Sequence, residues 1–119
     1  MVSLGHEYKM SNSFDVVLSC ECFEHDPHWV DTFKNMIDLC KPNGLVIFSC
    51  ATTGRKEHGT ANSEPQSSPL TVQRGWDYYK NLTREDFEEQ FNLNEYFQSF
   101  EFCVNTNSCD LYFNGIKKK

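Results

Sequence analysis

Two carboxylates and an imidazole stand close together near the start of the chain, as Glu21, Glu24 and His25. Residues three and four positions apart share one face of a helical turn, so any turn in this segment brings the three side chains together. Such a group is able to bind a divalent metal ion or to exchange protons with a substrate. The spacing fits equally well two solvated glutamates beside a histidine that caps or packs, and both interpretations stay open.

Cysteines and histidines around the same segment suggest a different metal, zinc. Its ligands would be Cys20, Cys22, His25 and His28. We expect no zinc site, because two cysteines at the end of a strand do not converge easily and no Cys-x-x-Cys pair completes a tetrahedral set. The six cysteines of the chain are expected to be reduced instead, since no export signal precedes them.

A strand–helix–strand unit must position these residues. The apolar run 14–20 predicts a strand, and apolar residues at helical spacing over 29–40 predict an amphipathic helix with Asp26 as its N-cap. The Lys-Pro-Asn-Gly segment 41–44 ends that helix and turns the chain. Residues 45–50 are apolar without alternation, which predicts a strand buried on both faces, as in a parallel sheet.

The second part of the chain begins with a long segment, 51–82, that shows no sustained periodicity and is predicted to be a loop or lid. Thr83, with Asp86 three residues later, resembles a capping box and predicts the start of a short helix. Alternating apolar residues over 100–104 and 111–113 predict an antiparallel hairpin that closes the fold.

Charge and hydropathy exclude two classes of partner. The chain has 119 residues with 17 acidic and 11 basic side chains, a net charge of −6, so a surface that follows nucleic-acid phosphates is not expected. No segment approaches the roughly 18 apolar residues of a membrane span, and the first residues do not resemble a signal peptide. We therefore predict one cytoplasmic domain that binds neither nucleic acid nor membrane.

The residues from Phe14 to His25, the helix after them, the 41–44 turn and the strand at 45–48 resemble class I S-adenosylmethionine-dependent methyltransferases of the type-11 domain family. They resemble the fourth strand, the Glu-His turn, a helix, the KPGG turn and the fifth strand, with Asn43 in place of the first Gly. The resemblance implies an α/β fold: half of a Rossmann-like sheet with strands ordered 4-5-7-6, an antiparallel last hairpin and helices on the faces.

The function that this resemblance implies is methyl transfer from S-adenosylmethionine to a small-molecule acceptor, at an oxygen atom. Cys20, at the end of the first strand, would lie against the cofactor, with Glu21 and Cys22 nearby. The family's Gly-rich loop and ribose-binding acid belong to earlier strands. We therefore expect residues 1–119 to be a single truncated, C-terminal-half domain, with 51–82 as its lid, that is inactive alone.

Glu21-x-x-Glu24-His25 also resembles the metal motif of ubiquinone-biosynthesis O-methyltransferases and small-RNA 2′-O-methyltransferases. This resemblance implies Mg²⁺ on Glu21, Glu24 and His25. The bases expected to remove the acceptor proton are His25 and His58. The loop residues expected to bind the acceptor are Arg55, Trp76, Tyr78 and Tyr79.

A second hypothesis is a non-catalytic binding or assembly module derived from such a half-fold. In the complete family fold the strand at 14–20 lies between two neighbours, and here one of its edges would be unpaired. An apolar edge with free amides pairs readily with another strand. We therefore expect a homodimer through residues 14–20.

Overall fold

The computed structural model describes residues 4–119. In chain order its elements are β1 (Phe14–Cys20), a 3₁₀ turn (Phe23–His25), α1 (Trp29–Leu39), β2 (Cys40–Ala51), a second 3₁₀ turn (Pro65–Ser67), α2 (Pro69–Gln73), α3 (Arg84–Gln90), α4 (Leu93–Tyr96), β3 (Phe97–Asn105) and β4 (Asp110–Lys117). None of the helices in this described part is long and apolar enough to cross a membrane.

The four strands form one sheet in the order β1-β2-β4-β3. The β1–β2 pair is parallel, and the β2–β4 and β3–β4 pairs are antiparallel. This arrangement confirms the expected half-sheet, with β1, β2, β4 and β3 in the places of family strands 4, 5, 7 and 6. The crossover helix α1 joins the two parallel strands, as a parallel pair requires.

The start of α1 differs from the sequence prediction. Asp26 was expected to be the N-cap, but the N-cap position is His28. Asp26 instead ends the first 3₁₀ turn with extended backbone, at φ −107° and ψ 105°. Its carboxylate still holds the helix entrance, because it accepts hydrogen bonds from the His28 N–H at 2.7 Å and from the Thr32 hydroxyl at 2.6 Å.

The segment 41–44 is also placed differently, because α1 ends at Leu39 and β2 begins at once with Cys40. The predicted turn is instead an irregular start of β2, and the register with β1 shifts between Phe14 and Val16. A Cβ atom at Gly44 would lie 2.8 Å from the Asp15 carbonyl oxygen. The close approach of the two backbones therefore requires glycine there.

The capped helix and the closing hairpin predicted for the second part of the chain are confirmed. Thr83 is the N-cap of α3, and its hydroxyl accepts from the Asp86 N–H at 3.3 Å while the Asp86 carboxylate accepts from the Thr83 N–H at 2.8 Å. The hairpin of β3 and β4 places Phe102 opposite Phe113. The segment before α3 contains only a 3₁₀ turn and the five-residue helix α2.

The hydrophobic core is aromatic and is centred on Phe33 of α1, which is fully buried. Its ring lies 5.0 to 6.3 Å from six other phenylalanine rings, measured between centroids, those of Phe23, Phe48, Phe87, Phe91, Phe97 and Phe113. Aromatic pairs at such separations add stability beyond their buried area. One side chain thus connects α1, the sheet and α3.

The two faces of the sheet are covered unequally. Helices α1 and α3 pack on the face that carries Val46 and Phe48, both fully buried. The opposite face of edge strand β1 carries Val16 and Leu18, which are 50% and 62% exposed. Residues 45 and 47 of β2 on that face are half-buried. The apolar run predicted burial on both faces, and in the described residues only one face is fully buried.

We expect Phe33→Ala to lower the free energy of unfolding by about 3–5 kcal/mol, because it removes the ring at the centre of the core. Urea denaturation followed by circular dichroism measures this loss. Tyr112→Ala is the control, because Tyr112 is 41% exposed, and it should cost no more than about 0.5 kcal/mol. Equal losses in the two variants would contradict a core centred on Phe33.

Candidate functional site

The residues that follow β1 and β2 meet at one edge of the sheet, because parallel strands end on the same side. Two backbone hydrogen bonds hold the long loop against this edge. The Leu82 N–H donates to the Ala51 carbonyl at 3.0 Å and closes the loop at its base, and the Lys80 N–H donates to the Glu24 carbonyl at 2.9 Å. The loop after β2 is therefore fastened to the turn after β1.

Three side chains of metal-ligand type converge at this edge, Glu24, His25 and His58. Their possible ligand atoms all lie within 4.8 Å of one another. The Nε2 atom of His25 is 4.0 Å from Oε2 of Glu24, and the His25 and His58 ring centroids are 4.8 Å apart. The 3₁₀ turn supplies the first two residues, and the loop brings His58 to them.

Both carboxylate oxygens of Glu24 and one ring nitrogen of His25 are buried without partners in the described residues. Glu24 is fully buried and His25 is 6% exposed. In the part of the chain that the structure describes, neither carboxylate oxygen of Glu24 nor Nδ1 of His25 has a hydrogen-bond partner. Burial raises the pKa of Glu24. Burial, together with the His58 and Arg55 charges, lowers the pKa of His25 to about 4, so this imidazole is neutral at neutral pH.

His58 is oriented by its own backbone segment. Its Nδ1 atom lies 3.0 Å from the Lys56 carbonyl oxygen. A carbonyl oxygen only accepts, so Nδ1 is the donor in this hydrogen bond. Tyr79 packs against both imidazoles, at 5.0 Å from His58 and 5.6 Å from His25 between centroids. A Cβ atom at Gly59 would lie 2.6 Å from Cε1 of His25, so glycine permits the loop to come this close.

Glu21 lies apart from the cluster that it was expected to join. The first 3₁₀ turn begins at Phe23, and Glu21 precedes it with a left-handed φ of 52°. It is therefore not on the helical face that carries Glu24 and His25. Its Oε1 atom is 3.6 Å from Nη1 of Arg55. The group of potential ligands in the structure contains His58 in place of Glu21.

Glu21 belongs instead to a second polar group with Arg55 and Asp110. The Arg55 guanidinium donates to the Asp110 carboxylate at 2.8 Å and to the Ser108 carbonyl at 3.2 Å. Burial, and then the hydrogen bond to Asp110, raise the pKa of Glu21 to about 7. Burial also acts to raise the pKa of Asp110, but the hydrogen bond from Glu21 and the Arg55 charge bring it below its ordinary value. Of the two carboxyl groups, Asp110 is thus the one that ionises first.

The residues expected on the cofactor side lie where the first strand ends. Cys20 and Cys22 are exposed and free, and the Cys22 thiol donates to the Cys20 carbonyl at 3.2 Å. A groove of about 350 Å³ begins beside Cys22 and passes Val17 and Met36. The end of β1 therefore has an accessible, mostly apolar surface next to these thiols.

The four loop residues expected to bind an acceptor do not form one pocket; they are Arg55, Trp76, Tyr78 and Tyr79. Tyr79 contacts the imidazoles, and its hydroxyl donates to the Asn81 side chain at 2.7 Å. The Asn81 amide donates to the Arg55 carbonyl at 2.9 Å, which links Tyr79 to Arg55. Trp76 lies elsewhere, 5.4 Å from His28 between ring centroids, and Tyr78 is half-buried.

Two residues of this site, Asn81 and Asp110, were not predicted from the sequence. Asn81 links the two ends of the loop through Tyr79 and Arg55. Asp110 is the first residue of β4 and reaches Arg55 only because β4 pairs with β2. Neither residue belongs to a local motif, so no signal in the sequence marked them.

Comparison with known proteins identifies the fold. Residues 7–48 match a family model described as a methyltransferase domain. This range includes β1, the first 3₁₀ turn, α1 and most of β2. No curated protein matches the chain in sequence.

Solved methyltransferases share the architecture at low identity. The chain is similar to Haemonchus contortus phosphoethanolamine N-methyltransferase 2 in complex with phosphomonomethylethanolamine and S-adenosylhomocysteine, at TM-score 0.63 and 16% identity over 97% of this chain and 36% of that one. It is also similar to the N-methyltransferase NodS from Bradyrhizobium japonicum in complex with S-adenosylhomocysteine. Here the TM-score is 0.58 and the identity is 14%, over 98% of this chain and 53% of that one.

A possible exported protein from Bordetella parapertussis gives TM-score 0.64 and 13% identity over 98% of this chain and 43% of that one. The chain thus spans between about a third and about half of the length of these three proteins. The expected resemblance is confirmed: the structure is a partial Rossmann-like fold of the class I methyltransferase type.

We expect Glu21→Gln to remove a loss of stability that the parent chain shows as the pH rises from 4.5 to about 7. The pKa of Glu21 is raised to about 7 in the folded chain, so the unfolded chain releases this proton at lower pH. The group's contribution to stability is therefore complete below its ordinary pKa of 4.5 and is lost as the pH rises through 7. Melting temperatures measured from about pH 5 to about pH 8 should fall less in Glu21→Gln than in the parent chain.

Glu89→Gln, at an exposed position of α3, is the matched control and should follow the parent curve. Parallel curves for the parent and for Glu21→Gln would show that Glu21 has an ordinary pKa.

Proposed function

We propose that this chain is part of an S-adenosylmethionine-dependent methyltransferase and that the reaction methylates a hydroxyl oxygen of a small-molecule acceptor. The observation that carries the proposal is the cluster of buried Glu24 and His25 with half-buried His58 at the carboxyl edge of β1 and β2. Ligands of open α/β sheets bind beyond this edge. The methyltransferase-domain match of residues 7–48 supports the class of reaction.

The cofactor would pass along the end of β1, bordered by Cys20, Glu21 and Cys22. The exposure of both thiols and the groove beside Cys22 support this position. When bound, the cofactor supplies an electrophilic methyl group on a sulfonium centre. The sequence contains no Gly-x-Gly loop to cradle it. We therefore propose that the remaining contacts come from another part of the complete enzyme and that this chain is inactive alone.

The acceptor would approach from the loop side of the cluster. As the new carbon–oxygen bond forms, the carbon–sulfur bond breaks, its electron pair stays on sulfur, and the acceptor oxygen loses a proton. The neutral His25 and the contact of its ring with the His58 ring support removal of this proton at the imidazole pair. Tyr79 and Arg55 would contact the acceptor near this oxygen.

Trp76 and Tyr78 are proposed to contact an outer part of the acceptor, because both lie in the same loop and the Trp76 ring packs against His28 rather than against His25 and His58. The compartment proposed for the protein is the cytoplasm. The six free cysteines support it, because a reducing environment keeps thiols unpaired.

The second function, a non-catalytic module that dimerises, is supported by β1 itself. Strand β1 is at one edge of the sheet, and its outer face carries Val16 and Leu18 with half or more of each side chain exposed. Apolar side chains and unpaired amides on an edge strand favour association. We propose that this chain forms a homodimer by antiparallel pairing of residues 14–20 across a twofold axis.

We expect S-adenosylhomocysteine to bind the isolated chain only in the millimolar range, and to do so at the end of β1. Nuclear magnetic resonance titration should shift the amide signals of residues 20–22 and leave the hairpin positions 101–104 unchanged. ATP is the control ligand, because it shares the adenosine group but lacks the amino-acid part. Micromolar affinity would contradict a divided cofactor site, and the absence of shifts at 20–22 would contradict the proposed cofactor position.

We expect Leu18→Lys to convert the dimer into a monomer, because it places a charge on the proposed interface. Sedimentation velocity at micromolar concentration measures the mass. Val104→Lys is the matched control on the opposite edge strand, where the side chain is 51% exposed, and it should remain dimeric. A monomeric parent chain would refute the pairing.

A further inference from the structure

We infer that the acceptor is a small uncharged hydroxyl compound, that it binds between the first 3₁₀ turn and α2, and that Leu70 and Thr71 determine which compound fits. The inference rests on the proposed function and deepens it, because it names the acceptor class and the residues that choose it. A cavity of about 350 Å³ lies in this place. Its walls are the segment after β1 and the long loop, with Glu21, Cys22 and His25 on one side and residues 67–71 on the other.

The cavity adjoins the groove proposed for the cofactor. Cys22 lines both of them, the groove that passes Val17 and Met36 and the cavity that reaches His25. Methyl transfer needs the acceptor atom and the methyl carbon side by side, at about 3–3.5 Å. Two binding spaces that share Cys22, with the proposed base His25 in the wall of one, suit such a transfer.

The imidazole of His25 is an open hydrogen-bonding group at this wall. The side chain is 6% exposed, and its Nδ1 atom has no partner in the described part of the chain. A Cβ atom at Gly59 would lie 2.9 Å from this nitrogen and 2.8 Å from Cβ of Ser68, so glycine keeps open the space between the two walls. A buried polar group without a partner costs free energy, which a ligand hydroxyl recovers by hydrogen bonding to it.

Two hydroxyl groups on the α2 side restrict what the ligand has to carry. The hydroxyls of Ser68 and Thr71 hydrogen-bond to each other, and the Thr71 hydroxyl donates to the Ser68 carbonyl at 3.0 Å. These hydrogen bonds use the hydroxyl protons, so the pair offers a ligand lone pairs. Lone pairs accept from a hydroxyl group of the ligand, whereas an ionised phosphate or carboxylate has no such proton to donate.

The charges around the cavity disfavour an ionised acceptor. Among the described residues that line it there is no lysine or arginine. Glu21 is the one acidic side chain of this lining, and its Oε1 atom lies 3.6 Å from Nη1 of Arg55, which compensates its charge. An anion therefore finds no cation to pair with, and a cation finds no free carboxylate. Either ion would lose its hydration without a partner.

The size of the cavity and the exposure of Leu70 indicate a small compound with an apolar part. A volume of about 350 Å³ is near the lower end of the roughly 300–1,000 Å³ of ligand pockets. Leu70 lines the cavity and is 67% exposed, so it lies where the cavity opens to solvent. An exposed apolar side chain at such an opening is surface that a bound ligand covers.

The test compares three compounds that differ in the charge of one substituent. They are 3-hydroxybenzyl alcohol, 3-hydroxybenzoate and 3-hydroxybenzylamine, and each is titrated into the nitrogen-15-labelled chain and followed by nuclear magnetic resonance. We expect the alcohol to shift the amide signals of His25 and of residues 67, 68, 70 and 71, and the two ions to bind at least tenfold more weakly. Equal binding of the three compounds, or shifts by the alcohol confined to other positions, would contradict the inference.

Variants of α2 test the two residues that are inferred to choose the acceptor. Leu70→Lys should strengthen binding of 3-hydroxybenzoate at least fivefold, because it adds a cation to the lining, and should weaken binding of the alcohol. Gln73→Lys, at an exposed position of the same helix outside the lining, is the matched control and should change neither. Thr71→Val removes one hydroxyl at nearly constant size and should weaken binding of the alcohol at least threefold.

Circular dichroism verifies that each variant is folded. Equal effects of the two lysine variants, or alcohol binding by folded Thr71→Val that matches the parent chain, would overturn the inferred roles.

The S-adenosylhomocysteine titration separates this inference from the proposed function. If S-adenosylhomocysteine shifts residues 20–22 and the alcohol does not shift residues 67–71, the acceptor cavity is wrong and the cofactor position stands. If the alcohol binds at residues 67–71 and S-adenosylhomocysteine causes no shifts at 20–22, the cavity is a ligand site but its role beside the cofactor is wrong.

Discussion

Parallel pairing of β1 with β2 is the constraint on which the arrangement of the site depends. The register runs from Val16 opposite Leu45 to Cys20 opposite Ser49, so the two strands reach the same edge together. A parallel pair cannot be joined by a short turn, and α1 provides the connection. The 3₁₀ turn after β1 and the loop after β2 consequently leave the sheet side by side. Residues far apart in the chain meet there once the loop closes against the turn.

Core packing then determines what the turn presents. Phe23, its first residue, is fully buried and lies 5.1 Å from Phe48 and 6.2 Å from Phe33 between ring centroids. With Phe23 anchored in the core, the next two residues, Glu24 and His25, have to lie near the protein interior rather than in water. The aromatic core therefore stabilises the fold and, in the same place, holds a carboxylate away from solvent, where a ligand gains most from pairing with it.

Unequal coverage of the sheet connects the two functional hypotheses. The face that carries Val46 and Phe48 is packed by helices, whereas Leu18 on the other face of β1 is 62% exposed. An exposed apolar face beside an edge strand suits contact with further polypeptide. That polypeptide is another part of an enzyme in one hypothesis and a second copy in the other. The aromatic core and the edge of the sheet that carries Glu24, His25 and His58 are the same under both hypotheses.

Local patterns in the sequence were sufficient for the strand at 14–20, the helix over most of its length and the adjacency of Glu24 and His25, because each depends on backbone periodicity over a few residues. The type of turn could not be read from such a pattern. The spacing predicted that Glu21 shares one helical face with Glu24 and His25, but the 3₁₀ turn starts only at Phe23, so Glu21 lies outside it. Only the tertiary structure placed His58 beside His25, since their contact follows from strand pairing and from closure of a long loop, and neither leaves a periodic signal in the chain.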